Sequence, residues 1–135
     1  MSKGYDGYAH LVQEDDAMLI YSYCSYNVNL DNWQEMQRTE DGELWIERNA
    51  LIEPEIHERV KRTPSGKKQV EVKRIKREYS IGELYDAGKI KIQNASGTWR
   101  TLGPGVDIIA LKLLHKIFDE YQETGNVPDH VVWFV

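Results

Sequence analysis

Residues 106–123, VDIIALKLLHKIFDEYQE, restrict the fold of this chain more than any other stretch. Apolar side chains at Val106, Ile109, Ala110, Leu111, Leu113, Leu114, Ile117, Phe118 and Tyr121 recur at helical spacing and cover about half the circumference. Lys112, His115, Lys116, Asp119 and Glu123 take the remainder, and Gly125 followed by Pro128 supplies the stop. A helix this apolar has to lie across a sheet or be clasped on two sides.

The rest of the chain supplies strands for that sheet. YAHLVQ and MLIYSYCSYNV flank the acidic turn EDDA and read as a hairpin. One face of the second run carries Ile20, Ser22, Cys24, Tyr26 and Val28; the other carries Leu19, Tyr21, Tyr23, Ser25 and Asn27. Small side chains at Ser22 and Cys24 suggest that a helix approaches the first face. DNWQEMQR, residues 31–38, fits a short helix through the capping pair Asp31 and Gln34, or a strand leading into the turn EDGE. ELWIE is a strand on either reading.

EPEIHERVKR is expected to be helical. Pro54 suits a first turn, and Ile52, Ile56 and Val60 form an i, i+4, i+8 stripe. TPSG then turns the chain into the strand QVEVKRIKR, where the step from Val72 to Ile75 implies a bulge near Lys73 and Arg74 or the strand's end. YSIGELYDAG carries a capping box, with Ser80 at the N-cap, Glu83 as its partner and Gly88 as the stop. KIKI turns Ile90 and Ile92 inward. HVVWFV, apolar on both faces, is expected inside the sheet. The expected architecture is α+β: one domain over residues 1–135, mostly antiparallel sheet, with one long C-terminal helix and one or two short helices packed on it.

Composition narrows the setting. A hydrophobic fraction of 41% in 135 residues is enough for one real core without staples. Cys24 is the sole cysteine, which forbids an internal disulfide and agrees with a reducing compartment. MSKGYDGYAH lacks the apolar region of a signal peptide, and no apolar run nears the ~18 residues that suggest a membrane span. A cytoplasmic protein with no membrane partner is expected.

Charge is unevenly spread. Residues 1–58 hold three Lys/Arg against thirteen Asp/Glu, residues 59–78 hold nine against two, and residues 79–135 hold five against seven. The local balances are therefore −10, +7 and −2 within a net charge of −5. The basic strip contains no aromatic residue before Tyr79, so it offers little for stacking bases, and the acidic remainder repels phosphate.

Reactive constellations break at named residues. EIHER resembles the opening of a zinc-protease helix, but the second ligand position is Lys61. His10, His57, His115 and His130 fall in separate elements with no metal spacing. Cys24 lies between Tyr23 and Ser25, with nothing local to favour a thiolate. The loop SGTWRTLGPGVD places glycines before the long helix and offers Trp99 and Arg100 to an anion; Asp107 competes for the same free N–H groups, which favours a structural loop. No catalytic residue, metal or cofactor is expected.

These features predict a non-enzymatic protein–protein interaction domain. One form is a cytoplasmic inhibitor or immunity-type protein with an acidic docking surface. The expected partner-binding residues are Tyr21, Tyr23, Tyr26, Lys73, Arg74, Lys76 and Arg77. The alternative is a nucleic-acid-associated protein using the basic strip 61–77.

Overall fold

A computed structural model describes residues 5–29, 31, 33–98 and 100–134. Its centre is a five-stranded antiparallel sheet in the order β6-β3-β2-β1-β7. The strands are β1 (Tyr5–Glu14), β2 (Met18–Asn27), β3 (Gly42–Glu47), β6 (Ile90–Gln93) and β7 (His130–Phe134). Two further strands, β4 (Glu55–Arg62) and β5 (Lys68–Ile75), form a separate two-stranded sheet. The helices are α1 (Trp33–Arg38), α2 (Ile81–Asp86) and α3 (Ile108–Thr124). The α+β expectation holds, and residues 33–38 resolve to the short helix.

The long helix lies across the sheet as its apolar half requires. Ile109, Ala110, Leu113, Leu114, Ile117 and Phe118 are buried against Leu19, Tyr21, Tyr23, Leu44, Ile46 and Ile90. Gly7 marks a close approach: a Cβ there would collide with the Ile109 side chain. Asp107 caps the helix by accepting from the Ile109 N–H, and Gly125 ends it in the left-handed region at φ 77°. Ser80 accepts from Glu83 N at the start of α2, as the capping box predicts.

A helix does approach the Ser22–Cys24 face of β2, but it is the short α1; the long helix packs on the Tyr21–Tyr23 face, whose rings fill the space between sheet and helix. Two expectations need correction. HVVWF is an edge strand, not an interior one. Val131 and Trp133 face the core, while Val132 and Phe134 are exposed, so apolarity on both faces did not signal burial.

Residues 53–62, expected to be helical, instead supply β4 over Glu55–Arg62. A repeat of four residues at Ile52, Ile56 and Val60 satisfies a helix, but it equally satisfies a strand whose alternate positions share one face. The turn decides. Gly66 N donates to Thr63 O at 2.9 Å, Thr63 N donates to Lys67 O at 2.8 Å, and Gly66 adopts φ 83°. That geometry directs residues 68–75 back along 55–62 in unbroken register, with no bulge at Lys73 or Arg74.

Candidate functional site

The β4–β5 ribbon stands apart from the body. Every residue of both strands is exposed. Register divides them into two faces. Ile56 with Arg74, Glu58 with Val72, Val60 with Val70, and Arg62 with Lys68 share one face. Glu55 with Ile75, His57 with Lys73, Arg59 with Glu71, and Lys61 with Gln69 share the other.

Their chemistry differs. On the second face charges pair within the ribbon: Lys61 Nζ reaches Glu71 at 3.1 Å, Arg59 reaches it at 3.5 Å, and His57 meets Glu55 at 3.0 Å. The hydrogen bond from Lys61 holds the Glu71 carboxyl below the usual carboxylate range. The first face instead carries a stripe of β-branched side chains, with Val60 62% and Val70 63% exposed, flanked by Ile56 and Val72. Arg62, Lys68 and Arg74 border this stripe.

The root of the ribbon is fixed to α3. Gln122, buried within the helix, accepts from Arg77 N at 2.6 Å and donates to Arg77 O at 2.8 Å, so its amide imitates a neighbouring strand. Lys76 Nζ contacts Glu123 at 2.7 Å, and that bond raises the lysine's pKa. A firm root and a free blade make the ribbon an arm.

The expected partner-binding residues do not form one surface. Tyr21 and Tyr23 are fully buried and unavailable to a partner: Tyr21 OH donates to Pro128 O at 2.6 Å, and Tyr23 OH donates to Asp107 at 3.0 Å. Tyr26 is half-buried, its ring stacked on Trp33 of α1 at 6.3 Å between centroids. Lys73 and Arg74 lie on opposite ribbon faces, while Lys76 and Arg77 belong to the root. The apolar stripe was missed. Its signal was present: β-branched residues an even number of positions apart, Ile56 and Val60 before TPSG and Val70 and Val72 after it.

At the start of α3 the contest for free N–H groups goes to Asp107. Its carboxylate accepts from Ile109 N at 3.0 Å, Tyr23 OH at 3.0 Å and Thr98 OH at 3.2 Å. Arg100 is exposed, and Trp99 lies outside the described residues. A carboxylate in this position repels the anion that the loop's glycines suggested.

A groove of ≈470 Å³ lies between α2, α3 and the loop before α3. Tyr79, Tyr85, Leu102, Pro104 and Leu111 line it, with His115 at one end. Tyr79 OH donates to Asp119 at 2.7 Å and sits 3.2 Å from His115 Nδ1. His10 pairs with Glu40 at 2.8 Å and stands directly opposite His130 in the β1–β7 register, with His130 packed by Tyr8, whereas His57 lies on the ribbon and His115 on α3. Among the described residues no cluster of His, Cys, Asp and Glu is arranged to hold a metal. No helix among the described residues is long and apolar enough to cross a membrane.

Cys24 is fully buried, and burial pushes its thiol up to about 11. At neutral pH it is almost wholly protonated. A thiol reagent is therefore expected to label the native protein at least about 100-fold more slowly than the urea-unfolded chain. Equal rates in the two states would show that the strand opens readily.

Compared with models of known protein families, with curated proteins and with solved structures, the chain matches none.

Proposed function

We propose that this chain is a non-enzymatic protein-interaction domain whose docking element is the β4–β5 ribbon. One observation carries the reading: a ribbon exposed on both faces gathers Ile56, Val60, Val70 and Val72 on one of them. A lone two-stranded hairpin is at best marginally stable in water, and the cross-strand Val60–Val70 pair adds only about 0.2–1 kcal/mol. Covering these side chains would contribute roughly 1 kcal/mol each at about 25 cal/mol per Å².

The matching partner is a protein surface with an apolar centre and carboxylates around it, opposite Arg62, Lys68 and Arg74. An inhibitor or immunity-type role in the cytoplasm is one form of this reading. It now rests on the basic arm more than on the acidic body, which remains available as a second contact. The nucleic-acid alternative draws on the seven Lys/Arg against three Asp/Glu in residues 55–75. Phosphate binding makes no use of the stripe, however, and the remaining −9 opposes it.

The test uses affinity capture from the native host at low and high salt. Val60→Glu with Val70→Glu keeps the ribbon's length and places charges in the stripe. Wild type is expected to retain a protein that this variant loses, and to retain it in high salt. Identical capture by both chains counts against the proposal. So does nucleic-acid binding whose salt slope flattens when Lys73, Arg74, Lys76 and Arg77 become Ala.

A further inference from the structure

The sheet ends in two unlike edges. β6 is four residues long and presents exposed Lys91, a common device against unwanted strand pairing. β7 has no Lys, Pro or bulge. Its backbone phase follows from one bond: Leu11 N donates to Asp129 O at 2.8 Å. Asp129 therefore turns its backbone toward β1, and by alternation Val131 and Trp133 do the same. His130, Val132 and Phe134 present their N–H and C=O groups outward, where no strand follows among the described residues. The same residues bring apolar side chains to the edge, with Val132 40% and Phe134 71% exposed.

A second feature lies beside this edge. Lys112 and Lys116 stand over the Trp133 ring, 5.3 and 5.8 Å from its centre. With His115 and Asp119 they line a groove of ≈310 Å³ between α3 and β7. Lys112, Lys116, Asp119 and Glu123 follow i, i+4, i+7, i+11 spacing, so they form one stripe along the helix. The stripe is basic in its first half and acidic in its second. Such a pattern complements its own copy when the two run antiparallel.

We infer that two copies of this chain pair through β7, antiparallel across a two-fold axis at Val132. His130 then faces Phe134 of the second copy, and Val132 faces its own counterpart. The five-stranded sheet is doubled without a break. Because α3 packs on β7 and β1, the same axis lays the two α3 helices side by side on one face, on the order of 10 Å apart. Lys112 and Lys116 of each copy then approach Asp119 and Glu123 of the other. Strand pairing, apolar contact and charge match are satisfied by one symmetry operation. The inference is independent of the ribbon's role, which uses a different sheet.

Sedimentation equilibrium of the full chain, from low micromolar to several hundred micromolar, is expected to fit a monomer–dimer equilibrium. Val132→Lys places like charges together on the axis and is expected to weaken the dimer about 100-fold or more, with an unchanged circular dichroism spectrum. Lys112→Glu with Lys116→Glu should weaken it as well, and more so at low salt. Val132→Cys is the check that survives misfolding of the lysine variant, because Cys24 is too buried to compete. Its intermolecular disulfide is expected to form much faster under mild oxidation than that of Leu102→Cys, a comparably exposed position. A monomer at every concentration overturns the inference. So does a dimer indifferent to Val132→Lys, or a Val132→Cys chain that cross-links no faster than the control.

Discussion

Asp107→Ala is expected to lower the unfolding free energy by about 2–4 kcal/mol at neutral pH, measured by urea denaturation with an unchanged m-value. The loss combines two causes. The Ile109 N–H loses its cap, and the Tyr23 hydroxyl loses a buried acceptor, while Thr98 OH keeps Ala95 O at 2.6 Å. Tyr23 OH also accepts from Ala95 N at 2.9 Å, and Asp107 N donates to Asn94, so this one residue ties β2, the loop before α3 and the helix itself. A loss well under 1 kcal/mol would mean that water replaces the carboxylate at no cost.

The same residue gives a pH signature. Burial holds the Asp107 carboxyl above the usual carboxylate range, against the hydrogen bonds from Ile109, Tyr23 and Thr98. A carboxyl with a raised folded pKa binds its proton more tightly in the folded state. Its contribution to stability is therefore complete below the ordinary carboxylate pKa and is lost as pH rises through the folded value. Asp107→Asn keeps a cap acceptor and removes the titration. The margin of wild type over this variant should be largest in acid and decline toward neutral pH. A margin that grows with pH reverses the sign and removes burial as the dominant influence.

Local signals in the sequence carried most of the body. Asp107, Gly125, Ser80 and Gly88 mark helix ends through backbone chemistry that does not depend on distant contacts, and all four act as read. Where only spacing spoke, the reading was open. Ile52, Ile56 and Val60 fit two periodicities, and the choice between them rests on a turn and a partner strand. The apolar faces of HVVWF could not distinguish a buried strand from one at a bare edge, since both expose the same sequence to the reader. The burial of Tyr21 and Tyr23 was not legible for a related reason: a tyrosine in a core and a tyrosine at an interface differ only in what covers them. Of the candidate site, the basic residues were legible and the stripe was not. Val70 and Val72 were legible as strand positions, but the face they share with Ile56 and Val60 depends on a pairing register that spacing alone does not give.

That ambiguity makes the ribbon the most informative part of the molecule to remove. Replacing residues 56–74 by a short Gly-Ser turn is expected to leave the thermal midpoint within about 2 °C of wild type. None of the excised side chains belongs to the buried core cluster. Buried Pro54 is retained, as are the Gln122 bonds to Arg77 and the Lys76–Glu123 pair. The excision also removes Arg74, whose guanidinium lies beside Gly125; it is solvent-exposed and worth little. Capture of the ribbon's partner should vanish completely in the shortened chain. Hydrogen exchange supplies the matching control in the intact protein: ribbon amides should exchange far faster than those of β2, and slow only when the partner is added. A fall of many degrees on excision would show that the arm is part of the core after all, and the stripe would then be explained by stability alone.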